Sequence, residues 1–132
     1  MSTKKVFLGG TCNGSKWRNE LIPSLNVDYF DPVVEDWNEE AQKKEDFYKE
    51  NSELFVYVLT SASNSPFSIA EVVDDSNKRP TKVVFYFEEN PDGEKPFTTH
   101  EIKALKKIGK IVEGNGAKWA KTKEELINFI NQ

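Results

Sequence analysis

A single cysteine and a single histidine in 132 residues leave no material for a disulfide framework, a Cys/His zinc site or an iron–sulfur cluster. Long apolar runs are missing too. The longest, Leu54 to Leu59 and Val83 to Phe87, fall far short of the ~18 residues that a membrane span needs. The start, Met-Ser-Thr-Lys-Lys, runs directly into a short strand-like segment without the apolar stretch and small-residue cleavage site of a signal peptide, which points to a cytoplasmic protein. Excess positive charge is also absent. The formal charge is −4, and 18 scattered Lys and Arg build no basic stripe, so neither nucleic acid nor a membrane is an expected partner.

What is present suits one ordinary domain spanning 1–132: 37% hydrophobic residues, nine Phe and 30% charge fill a core and solvate a surface. The pattern alternates. Val6-Phe7-Leu8 reads as a strand ending in Gly9-Gly10, and Trp17 to Leu25 as a helix stopped near Pro23. Val27 to Phe30 is a second strand and Asn38 to Glu50 a charged helix. The continuous apolar run Leu54 to Leu59 has the character of a central strand buried on both faces. Ser65-Pro66 reads as an N-cap with proline at the first helical position, opening a helix to about Asn77. Val83 to Phe87, Thr98 to Glu113, Ala117 to Ala120 and Lys123 to Ile130 complete five strands alternating with five helices. That alternation predicts a three-layer α/β fold with a parallel sheet and right-handed crossovers.

Ligands in such sheets bind beyond the carboxyl ends of the strands, which directs attention to three segments. Gly9 to Lys16 nearly matches the phosphate-binding GxxxxGK[ST] pattern, but Ser15 and Lys16 are transposed, which turns both groups by about 100° on a helix. No strand ends in the Asp that would complete a Mg²⁺ site, so the run reads either as a plain turn or as Gly9, Gly10 and Thr11 bringing backbone close to a sugar or phosphate. Tyr29 to Trp37 sets Asp31, Asp36 and Trp37 at the sheet's mouth. In the following helix Ala41, Glu45 and Tyr48 share a face, so Glu45 points inward, to a structural ion pair or to a ligand. Ser61 to Glu71 supplies Ser63, Ser65, Phe67 and, in the second helical turn, Glu71. Trp17, Tyr29, Trp37 and Phe67 are able to stack on a nucleobase or simply to pack in the core.

Taken in order, Val-Phe-Leu-Gly-Gly-Thr, Trp17-Arg18, Tyr-Phe-Asp-Pro-Val-Val-x-x-Trp, the helix with Glu45, and Ser-Pro-Phe-Ser-Ile-Ala-Glu after an apolar strand resemble the nucleoside 2-deoxyribosyltransferase-like proteins, from about Lys5 to Phe87. The resemblance implies a flavodoxin-like (Rossmann-like) sheet of order 2-1-3-4-5. It implies cleavage or transfer of the N-glycosidic bond of 2-deoxynucleosides or their 5′-monophosphates, with Glu71 as nucleophile and Glu45, or alternatively Asp36, as the assisting carboxylate. Gly9, Gly10, Thr11, Trp17, Asp31, Trp37, Ser63, Ser65 and Phe67 are the expected substrate contacts. A small-molecule nucleoside or nucleotide is the expected partner, in a homo-oligomer, with no cofactor and no metal. The family's enzymes carry an Asp six residues before the nucleophile where this chain has Ser65, which keeps open a catalytically silent nucleotide-binding or sensing module on the same fold.

Overall fold

The computed structural model describes residues 4–11, 15–33, 38–63, 65–93 and 95–132. Five parallel strands, β1 (Lys5–Gly10), β2 (Asp28–Phe30), β3 (Leu54–Leu59), β4 (Val83–Phe87) and β5 (Lys118–Trp119), form one sheet in the order β2-β1-β3-β4-β5. The helices between them are α1 (Trp17–Leu21), α2 (Glu39–Asn51), α3 (Pro66–Lys78), α4 (Thr99–Gly114) and α5 (Lys123–Asn131). This is the doubly wound α/β arrangement, with β3 at its centre. Among the described residues no helix is long and apolar enough to cross a membrane.

Alternation along the strands divides the core into two. Val6, Leu8, Val56, Val58, Val84 and Tyr86 face Trp17 and Leu21 of α1 and Leu126 and Ile130 of α5. Phe7, Phe55, Tyr57, Leu59, Val83, Phe85 and Phe87 face α3 and α4 through Val72, Leu105 and Val112. Side chains of period two thus line both faces of β1, β3 and β4, which is why these strands are apolar without a break. Burying each large side chain contributes about 1.5–3 kcal/mol.

Local chemistry sets the helix ends. Asn38 caps α2 by accepting the Ala41 N–H at 2.8 Å, and Thr98 and Glu101 form a reciprocal capping box on α4. Two expectations are corrected. The helix expected from Trp17 to Leu25 stops at Leu21, and Ile22–Ser24, containing Pro23, is a 3-10 turn. Ser65 does stand before Pro66, but at φ 50° and without a side-chain cap bond. A left-handed backbone replaces the extended conformation in which an N-cap oxygen reaches the first turn.

α2 differs from its neighbours in having no fully buried residue. Aromatic and ionic contacts hold it instead. Tyr48 stacks on Phe30 of β2, with ring centroids 4.3 Å apart and planes at 18°.

Gly10 closes β1 at φ +116°, where a Cβ would stand 2.1 Å from the carbonyl oxygen of Val58. Neither the backbone conformation nor the space admits a side chain. We expect Gly10→Ala to lose about 3 kcal/mol or more of stability, read as a lower urea midpoint at unchanged slope.

Candidate functional site

Strand order reverses between β1 and β3, and a cleft of about 410 Å³ opens there on the α2–α3 side. Phe7, Gly9 and Gly10 of β1 form its floor, Pro32 and Val33 follow β2, and Arg18 enters from α1. One wall is Gln42, Glu45, Asp46 and Lys49 of α2; the other is Phe67, Ser68 and Glu71 of α3. The three loops singled out in the sequence therefore meet at one place, with Glu71 on the same cavity as Gly10.

The segment after β1 is held from behind. Thr11 is fully buried; its hydroxyl accepts the Thr60 N–H at 3.0 Å and lies 2.8 Å from the Ser65 hydroxyl. Its carbonyl takes the Trp17 indole N–H at 2.8 Å and an Arg18 N–H at 2.7 Å, while Arg18 also donates twice to the Leu8 carbonyl. Arg18 pairs with Asp31 at 3.3 Å, and Asp31 accepts the Val33 N–H at 3.0 Å. Thr11, Arg18, Asp31 and Ser65 thus fix loop positions.

Trp17, expected as a substrate contact, does not line this cleft. It is buried on the α1–α5 face and borders a smaller cavity of about 110 Å³ beside Tyr86 and Leu126. The cause is that α1 begins at Trp17 on that face of the sheet. Ser63 borders a different hollow with Ser61, Lys95 and Thr98. Phe67, by contrast, is on the cleft and 73% exposed. Lys16 of the P-loop-like run is exposed and does not line the cleft. Asp36 and Trp37 lie outside the described residues.

The acids occupy unlike surroundings. Glu71 is ion-paired to Lys49, with Oε2 2.7 Å from Nζ. The same ammonium is 2.8 Å from Asp75 Oδ2 and donates to the Tyr57 hydroxyl. Tyr57 in turn donates to Asp75, whose other oxygen meets Arg79 Nη2 at 3.2 Å. Burial and then the neighbouring acids push the Tyr57 pKa far up, so its hydroxyl keeps its proton. The Glu45 side chain makes no hydrogen bond or ion pair among the described residues. Burial first, then the charge of Glu71, holds its carboxyl above the usual range, Asp46 adding to this and Lys49 opposing it.

Lys49, Asp75 and Tyr57 were not expected from the sequence. The available signal was spacing: Glu45 and Lys49 stand four apart on α2, as do Glu71 and Asp75 on α3, which puts each pair on one helical face. Gly9 belongs to the same structure. A Cβ there would meet the Tyr57 ring at 2.6 Å, so the missing side chain is what lets Tyr57 lie across β1 and reach Asp75.

A cavity with a paired carboxylate on one wall and an elevated one on the other lies wholly within residues 7–71. Residues 3–90 match the family model described as nucleoside 2-deoxyribosyltransferase like. The chain belongs to the nucleoside 2-deoxyribosyltransferase-like family. Its flavodoxin-like order 2-1-3-4-5 agrees with that membership. The family's matched segment carries every strand and helix that borders the cleft; α4, β5 and α5 follow it. A search of the curated proteins finds no match.

The raised pKa of Glu45 has a signed consequence for stability. Its neutral form is favoured in the folded state, so this contribution is fully present below the ordinary value of 4.5 and is lost as pH rises through the folded value. Above 4.5 the unfolded chain releases this proton more readily than the folded one, so stability falls as pH rises towards 7. Glu45→Gln is therefore expected to melt at a higher temperature than the parent at pH 7. Calorimetry should show the difference shrinking as pH falls through the folded value and gone below 4.5.

Proposed function

We propose that this protein breaks the N-glycosidic bond of a 2-deoxynucleoside or its 5′-monophosphate and passes the deoxyribosyl group to water or to a second base. The observation that supports this reading is that Glu71 and Glu45 share one cleft while their surroundings differ: one carboxylate stands against an ammonium, the other has its proton affinity raised. Two acids held apart in this way divide the roles of nucleophile and proton donor.

In the first step a Glu71 oxygen attacks the anomeric carbon through an oxocarbenium-like transition state. The C1′–N bond breaks, its electron pair stays with the base, and the Glu45 proton neutralises the departing nitrogen. The result is a deoxyribosyl ester on Glu71 and a carboxylate at Glu45. In the second step Glu45 takes a proton from water or from an acceptor base, which attacks C1′ and releases Glu71. Glu45 is assigned the second role because it lines the cleft and its proton affinity is raised. Phe67, exposed at the mouth, offers a face for the base, and Gly9 and Gly10 let the sugar approach the backbone of β1. The exposed Phe67 and Val33 at this rim are also where a second copy of the chain would close the cleft in a homo-oligomer.

A panel of deoxynucleosides and deoxynucleoside monophosphates, with free base followed by chromatography, tests the reading. Glu71→Gln should reduce release on the order of 10⁴-fold, and Glu45→Gln by roughly 10²–10⁴-fold. A fluorinated deoxynucleoside that slows the second step should leave its sugar on the peptide containing Glu71. Turnover that survives in Glu71→Ala removes the mechanism. Calorimetric nucleotide binding without turnover on any substrate replaces it with the silent binding module, which the Ser65 position favours, since its hydroxyl is engaged with Thr11.

A further inference from the structure

The ammonium of Lys49 faces two carboxylates that differ in freedom. Asp75 is 3% exposed and committed on both oxygens, to Lys49 and Tyr57 on one and Arg79 on the other. Glu71 is 19% exposed and borders the cleft. Glu45 stands one turn before Lys49 on α2 and borders the same cleft. Lys49 is thus anchored from behind by an acid that cannot leave, and faces forward to the two acids of the proposed reaction.

We infer that Lys49 is a positioning residue: the fixed counter-charge for one negative charge that passes from Glu71 to Glu45 when the sugar is taken up and returns when it is released. The inference rests on the proposed glycosyl transfer. Charge balance requires the movement. Before attack Glu71 is the carboxylate and Glu45 carries a proton; afterwards the new O–C1′ bond has made Glu71 a neutral ester, the C1′–N bond has broken, and the proton of Glu45 has gone to the base. The total is unchanged and its place has shifted across the cleft. An ammonium pinned by Asp75 attracts the charge in both places without moving, as a preorganised environment does.

The electrostatics of Glu45 agree in sign. Glu71 raises its proton affinity and Lys49 lowers it. Esterification removes the first influence and leaves the second, so Glu45 becomes the stronger acid as it gives up its proton and must hold a charge. The other groups in play stay fixed through both steps. Asp46 adds to the field on Glu45 from its own helix. From α3, Glu71 and Asp75 face Lys49, and Arg79 donates to the Lys49 carbonyl at 3.4 Å. From β3, Tyr57 faces it with a hydroxyl that retains its proton.

Glu71→Gln imitates the charge of the ester, which allows a test that needs no turnover. With ¹³C-carboxyl glutamate, the Glu45 titration is followed by NMR in the wild type, Glu71→Gln, Lys49→Met, the double variant and Lys49→Arg. Glu71→Gln should move the Glu45 midpoint to lower pH by about one unit, and Lys49→Met to higher pH by a similar step. The double variant should fall between them, and Lys49→Arg should return the midpoint towards the wild type. In turnover, Lys49→Met should lower kcat about 10- to 100-fold with a smaller effect on KM, and carry the basic limb of the pH profile upward. If Lys49→Met does not fold, Lys49→Gln removes the same charge, and a Glu45 midpoint unmoved by that loss overturns the inference. A Glu45 midpoint unmoved by Glu71→Gln overturns the inference even where base is released. Midpoints that move as expected, with no base released from any substrate, overturn the glycosyl transfer and leave the charge coupling in place.

Discussion

The ammonium of Lys49, set between Glu71 and Asp75, is the contact on which the candidate site depends. It joins α2 to α3 and, through the Tyr57 hydroxyl, to the central strand. Charges this far from water are tolerated only when each has partners, and removing one partner of such a set costs about 3–5 kcal/mol because the remainder is stranded. Asp75 shows how far the satisfaction extends, since both of its oxygens are engaged. The set is also geometrically demanding. Four side chains from two helices and one strand have to arrive together, so the placement of Glu71 is a consequence of the packing of the whole α2–β3–α3 unit.

That packing leads back to an atom that is not there. Tyr57 crosses the top of β1 because Gly9 has no Cβ, and its hydroxyl thereby reaches Asp75 and Lys49. A sequence reader assigns adjacent glycines at a strand end to phosphate or sugar approach. Here Gly9 makes room for a ring and Gly10 for a neighbouring strand's carbonyl. Both also border the cleft, so accommodating the scaffold and accommodating a ligand are not exclusive.

The central strands were legible to the residue, Leu54–Leu59 and Val83–Phe87, because burial on both faces leaves a run without polar interruption. Edges were less so. β5 is only Lys118–Trp119, narrower than its apolar flanks suggested, since Ala117 and Ala120 are buried beyond the ends of the ladder. Glu71 and Glu45 could be found because one follows a central strand and the other interrupts an apolar helical face. Lys49 could not be weighed in the same way. A lysine in a strongly charged helix normally solvates the surface, and only the opposing acids on α3, distant in sequence, reveal its inward course. Trp17 takes its face from the start of α1, which sets its ring on the α1–α5 side of the sheet and not towards this cleft.

α2 is bound to the body by ions and one ring stack, with no fully buried side chain of its own. Its outer positions are consequently exempt from the volume constraints that govern β1, β3 and β4, where each methylene is felt. The outward positions of α2 can therefore change in composition without the sheet being repacked. Tyr48 and Lys49, on the helix's inner side, are where that freedom ends.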